Sequence, residues 1–146
     1  MVLGKFGLAA VVVAAAALGG APAGGAARPV IVSGVSQWAA LARAVAGPDA
    51  TVVSLLSDPN ADPHDHEATA RDARTVARAA LVIENGAGYD TWVAQLVAAR
   101  ARPPAVIDAA RLAGVAVGRT PHLSSDVGVA ETVVRGVSAS LTRRGA

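Results

Sequence analysis

The sequence predicts an α/β fold, a single lobe with a mostly parallel four-stranded sheet flanked by helices, followed by the start of a long connecting helix. Three observations carry this reading. Short Val/Ile/Leu-rich runs alternate with stretches of helical spacing from Pro29 to Ile107, the pattern of βαβ units whose sheet is covered on both faces. Of the 146 residues, 53% are hydrophobic and 3% aromatic, enough apolar material for one domain with a core and too little chain for two ordinary ones. Val127, Ala130, Val134, Val137 and Leu141 then recur at alternating spacings of 3 and 4, which marks one long final helix with a narrow apolar stripe.

The elements follow in order. Pro29 to Val35 reads as a strand, and Trp38, Leu41, Ala42 and Val45 as a helix stopped by Gly47-Pro48. Thr51 to Leu56 is the second strand, Ser57 to Glu67 a loop, and Thr69 to Ala79 an amphipathic helix. A third strand, Ala80 to Ile83, ends in the Asn85-Gly86-Ala87-Gly88 turn, and Tyr89 to Ala101 continues as a helix burying Trp92, Leu96 and Val97. Ala105 to Ile107 is the fourth strand, and Asp126 is placed to cap the last helix. In such a sheet the ligand-binding loops fall at the carboxyl ends of the strands.

Residues 1–27 read as a signal peptide: Lys5 supplies a positive start, Phe6 to Leu18 an apolar centre, and Ala21-Pro22-Ala23 small residues for cleavage. The apolar stretch is shorter than the roughly 20 residues a spanning helix needs. The expectation is an exported protein, periplasmic or extracellular, with no cysteine to carry a lipid anchor. Residues 28–123 then form a single lobe and residues 124–146 carry the long helix.

Composition excludes several functions. The chain has 13 basic and 11 acidic residues, and the only lysine is Lys5. The arginines are scattered without interleaved aromatic residues, so no stripe exists to neutralise a run of phosphates, and no nucleic-acid partner is expected. With no cysteine, disulfides, thiolate metal sites and a cysteine nucleophile are ruled out. A metal would sit on nitrogen and oxygen ligands.

The loop Asp58-Pro59-Asn60-Ala61-Asp62-Pro63-His64-Asp65-His66-Glu67 packs four carboxylates, Asp58, Asp62, Asp65 and Glu67, and two imidazoles into ten residues directly after a strand. It attracts cations, and its prolines restrict the backbone around His64. A solvated acidic turn whose histidines merely cap the next helix is the plain alternative. Asp58-x-Asn60-x-Asp62 begins like an EF-hand, but Pro63 and Thr69 stand where glycine and glutamate are required. His64-x-His66 lacks the continuation of a binuclear hydrolase site. His122 lies 58 residues beyond His64, again as a Pro-His pair before a helix. Two such loops on one rim of the sheet allow their imidazoles to converge on one ion. Gly86-Ala87-Gly88 lacks the third glycine of a dinucleotide fingerprint, because position 91 is Thr91. Gly34-Val35-Ser36-Gln37-Trp38 lacks the closing glycine of a nucleophile elbow. Trp38, Tyr89 and Trp92 read as packing residues.

Val53 to Glu67, Asp72-Ala73-Arg74, Ala79 to Gly86 and Gly88-Tyr89-Asp90-Thr91-Trp92 resemble the N-terminal lobe of the zinc/manganese ABC-transporter substrate-binding proteins, from about Pro29 to about Leu123. The resemblance implies binding of Zn²⁺ or Mn²⁺ outside the membrane for an ABC importer and its membrane permease, not an enzymatic activity. It maps the first ligand onto His64 and a second onto His122; the loop's own residues add His66 and Glu67 as further candidates. It also implies a second, C-terminal lobe that this sequence lacks, so that a partner chain, self-association or Glu67 would complete the site. The alternative is a truncated or degenerate relative, a binding or structural module without useful metal affinity. His66 stands where the family usually has an aromatic residue.

Overall fold

The computed structural model describes residues 27–118 and 122–145. The expected signal peptide, residues 1–27, lies outside the described residues except for Ala27, as does Pro121 beside His122. Among the described residues, no helix is long and apolar enough to cross a membrane.

The chain runs β1 (Val30–Val35), α1 (Ser36–Ala46), β2 (Thr51–Leu56), α2 (Ala70–Ala77), β3 (Leu81–Glu84), α3 (Thr91–Ala98), β4 (Ala105–Asp108), α4 (Ala109–Leu112) and α5 (Val127–Thr142). The four strands form one sheet in the order β2-β1-β3-β4, and every pair is parallel. The expected sheet is therefore present, and it is wholly parallel. The helices α2 and α3 are shorter than their periodicity predicts, since Arg78 and Ala99 already cap their C-termini. The four-residue α4 had no counterpart in the sequence reading.

Alternation along the strands divides the core in two. Ile31 and Val35 of β1, with Leu81 and Ile83 of β3, pack with Trp38 and Ala42 of α1 and with α5. Val32 and Val82, one residue out of phase, pack on the other face with Val76 of α2 and Trp92 and Val93 of α3. The chain leaves β1 for β2 on one side, then crosses back past β1 to β3 and β4. That reversal explains why α1 lies on one face and α2 and α3 on the other. It also makes the carboxyl ends of β1 and β3 the point where the connections part, the usual place for a ligand crevice.

Two glycines permit close approaches. A Cβ at Gly34 would lie 2.6 Å from Asp90 Oδ2 and 2.8 Å from Val93 Cγ2, so its absence lets the start of α3 sit against β1. Gly86, Ala87 and Gly88 all have positive φ, which gives the tight turn read from the sequence.

The final helix begins where expected, with the Asp126 side chain accepting from the Gly128 and Val129 backbone N–H groups. Its buried face shares Val137 and Leu141 with the stripe expected from the sequence and departs from it in the first half. Val129, Val133, Val137 and Leu141 enter the core, whereas Val127 is 81% exposed and Ala130 and Val134 are only half-buried. Valine and alanine are dense on both sides of this helix, so periodicity alone did not select the phase. Packing against α1 and α4 did.

Candidate metal centre

The loop between β2 and α2 is built from two successive turns of the same kind. Asp58 Oδ1 accepts from the Asn60 N–H at 2.9 Å, and Asp62 Oδ1 accepts from the His64 N–H at 2.8 Å. Each aspartate is followed by a proline, whose fixed φ suits the second position of the turn. Two of the loop's carboxylates thus shape its backbone. The loop is then pinned from below, because Trp92 Nε1–H donates to the Pro63 carbonyl at 3.0 Å. His64 stands directly after that anchor, with its side chain exposed.

His64 meets Tyr89 edge-on, with ring centroids 4.9 Å apart and planes at 84°. His122 meets the same ring edge-on, at 5.5 Å and 76°. Two histidines far apart in sequence are therefore brought to one tyrosine. A small cavity of about 90 Å³ lies beside this ring, between Val35 and Ser36 of the β1–α1 junction and Asp58, Pro59 and Pro63 of the loop. Tyr89 comes from the turn between β3 and α3, at the point where the sheet connections part. The tyrosine hydroxyl is held above its ordinary pKa by burial first and then by the Asp62 and Asp90 carboxylates.

A buried network fixes that turn. Asp90 accepts from the Asn85 N–H at 2.8 Å and the Gly86 N–H at 3.0 Å, and burial, against these two bonds, raises its pKa. Trp38 Nε1–H donates to Asn85 Oδ1 at 3.1 Å, and the Ala110 N–H to the Asn85 carbonyl at 2.9 Å. Next to it, Glu84 is pushed up to about 7 by burial and by the neighbouring Asp108 and Asp90 carboxylates.

His66 is placed differently. Its Nε2 lies 3.3 Å from Asp72 Oδ2, and its ring lies 4.3 Å from that of Trp92. Asp72 is the third residue of α2 and closes a capping box with Thr69. Burial opposes its ionisation, but the hydrogen bonds from the Thr69 hydroxyl, the Thr69 N–H and His66 outweigh this and hold the carboxyl below its usual range. Glu67 is exposed. Among the described residues, no group of three or more His, Asp or Glu side chains is gathered as a metal cage. The structure thus sets His64 and His122 each against the Tyr89 ring and turns His66 toward the helix. Tyr89, which both histidines touch, reads from the sequence only as packing; its place in an Asn-Gly-x-Gly-Tyr turn at a strand's carboxyl end is the available signal.

The family model described as "Zinc-uptake complex component A periplasmic" matches residues 31–143. The chain belongs to this family. The match covers the lobe and the whole of α5. The family is one of metal-uptake components and not of enzymes. No curated protein matches the chain. Among solved structures, the fold is similar to a periplasmic metal-binding protein from Candidatus Liberibacter asiaticus, at 19% identity and a TM-score of 0.66 over 80% of this chain and 45% of that one. It is similar to the periplasmic zinc-binding protein TroA from Treponema pallidum, at 22% identity and a TM-score of 0.62 over 80% and 48%. It is also similar to the substrate-binding protein FpvC from Pseudomonas aeruginosa in complex with Mn²⁺, at 22% identity and a TM-score of 0.68 over 81% and 45%. The chain spans slightly under half the length of each of these proteins.

Proposed function

We propose that this family member captures a divalent transition metal, Zn²⁺ or Mn²⁺, outside the membrane, as the solute-binding component of an ABC importer that hands the ion to a membrane permease. The observation that supports it is that His64 and His122, from two different loops, both pack edge-on against Tyr89. Imidazole nitrogen suits both ions, and the zinc named for TroA and the Mn²⁺ named for FpvC fall in the same class. Two imidazoles supply half of a tetrahedral zinc shell. The remaining ligands come from the exposed Glu67, from water, or from a second lobe or chain facing the same rim. His66 serves as a loop anchor in this reading, not as a ligand.

A second reading, a binding or structural module without useful metal affinity, is favoured by the absence of a three-ligand cage among the described residues. Calorimetric titration of the full chain with Zn²⁺ and with Mn²⁺, beside His64→Ala and His122→Ala, separates the two. Micromolar or tighter binding lost in both variants supports metal capture. Weak binding indifferent to either substitution supports the second reading. Acidification is a further check, since protons compete with the metal for neutral imidazoles and affinity falls.

A further inference from the structure

β2 is an edge strand. It pairs with β1 on one side and, among the described residues, with no strand on the other. The N–H and C=O groups along such an edge need hydrogen-bonding partners and template a further strand. Beside this strand lies a cavity of about 450 Å³, lined by Val53, Ser54 and Leu55 together with Arg71, Arg74 and Arg78 of the α2 segment. Successive strand residues point to opposite faces, so a wall made of three in a row includes the backbone edge and not one face alone. Neither His64 nor His122 borders this groove.

The helix side of the groove is cationic. Arg71, Arg74 and Arg78 follow the i, i+3, i+7 spacing that aligns side chains along one helix face, and all three are exposed. The ion pairs among the described residues, His66–Asp72 and Glu131–Arg135, involve none of them. The carboxylate in the lining, Asp72, is committed to Thr69 and His66. The three guanidiniums extend over about 10 Å of helix, roughly the length of three residues of extended chain.

We propose that this groove binds an extended acidic peptide segment of a partner protein, which adds to β2 as a fifth strand while its carboxylates meet Arg71, Arg74 and Arg78. The backbone pairing gives affinity and the guanidinium–carboxylate pairs give selectivity. An apolar strand would leave three guanidiniums unmatched, and a free anion would leave the strand edge unused. The charge of the groove therefore decides for an acidic segment. This recognition is independent of metal capture.

The test is fluorescence anisotropy of the full chain with a labelled hexapeptide alternating glutamate and valine, its lysine-for-glutamate counterpart, and a fully N-methylated form that cannot donate to a strand edge. The glutamate peptide is expected to bind saturably, and the other two about tenfold more weakly or worse. The double variant Arg71→Glu, Arg74→Glu is expected to lose the glutamate peptide by a similar factor, while Arg135→Glu on α5 leaves it unchanged; far-UV circular dichroism verifies that both retain the fold. Equal binding of the glutamate and N-methylated peptides, or complete displacement by millimolar inorganic phosphate, would reduce the groove to an anion site and overturn the proposal. So would equal binding of the lysine peptide, or no binding of the glutamate peptide.

Discussion

The imidazole of His66 and the carboxylate of Asp72 lie 3.3 Å apart, Nε2 to Oδ2, and that same oxygen accepts from the Thr69 N–H at 2.9 Å and the Thr69 hydroxyl at 2.7 Å. The contact ties the acidic loop to the first turn of α2. The Trp92 ring closes over His66 and, through its N–H, holds Pro63. The two histidines of the loop thus have opposite duties, one facing the helix and one facing Tyr89.

His66→Ala is therefore expected to destabilise the fold by about 1–2 kcal/mol through the lost hydrogen bond and ring contact, with metal affinity changed less than about threefold. His64→Ala is expected to reverse the pattern, with stability within about 0.5 kcal/mol of the native chain because the residue is exposed. Denaturant unfolding beside calorimetry tests the pair; a loss of metal binding in the His66 variant at unchanged stability would make His66 a ligand.

The Asp72 carboxyl ionises below its ordinary 3.8 in the folded chain. It therefore adds stability that is present above 3.8 and is lost as pH falls through the lower folded value. Asp72→Ala is expected to cost about 1–2 kcal/mol near neutral pH by opening the capping box. Urea melts on the acid side should show the gap to the native chain closing only below 3.8.

Glu84 has the opposite sign. Raised from 4.5 to about 7 by burial and by Asp108 and Asp90, it binds its proton more tightly when folded, so stability declines as pH climbs through that window. Glu84→Gln is expected to be more stable than the native chain by about 1 kcal/mol at about pH 8, allowing for the partial exposure of the group, and equal to it at about pH 4. A difference that stays constant with pH would count against a raised Glu84.

Gly34→Ala places a methyl group against Asp90 Oδ2 and Val93 Cγ2. Both neighbours are buried and Asp90 holds two backbone N–H groups. Neither can withdraw cheaply, and a loss of about 2 kcal/mol or more is expected on thermal or urea unfolding.

Tyr89 supplies a ring edge or face to both candidate ligands and no charge of its own. Tyr89→Phe, which keeps the ring, is expected to hold metal affinity within about threefold, whereas Tyr89→Ala loses about tenfold or more by releasing the two imidazoles. Equal affinity in the alanine variant would deny Tyr89 a positioning role.

Much of the fold was legible in the sequence because the strands are short Val/Ile/Leu runs bounded by polar loops, and a parallel sheet covered on both faces writes itself as such runs. The turn at Asn85 to Gly88 was legible because only a glycine-rich segment tolerates successive positive φ values. His64 and His122 were singled out by their Pro-His loops and by family resemblance. The buried face of α5 was legible only at Val137 and Leu141, since with apolar residues on several sides the helix takes its phase from the surfaces of α1 and α4.

The sequence by itself determined the α/β class, the order of the elements, the absence of thiol chemistry and the two histidine-bearing loops, all properties of local pattern and residue type. Only the tertiary structure decided that His64 and His122 share Tyr89, that His66 belongs to the α2 cap, and that Arg71, Arg74 and Arg78 line a groove beside β2. Each of these joins groups from different elements, and the strand order β2-β1-β3-β4 that brings those elements together is set by packing on both faces of the sheet, which no single stretch of chain encodes.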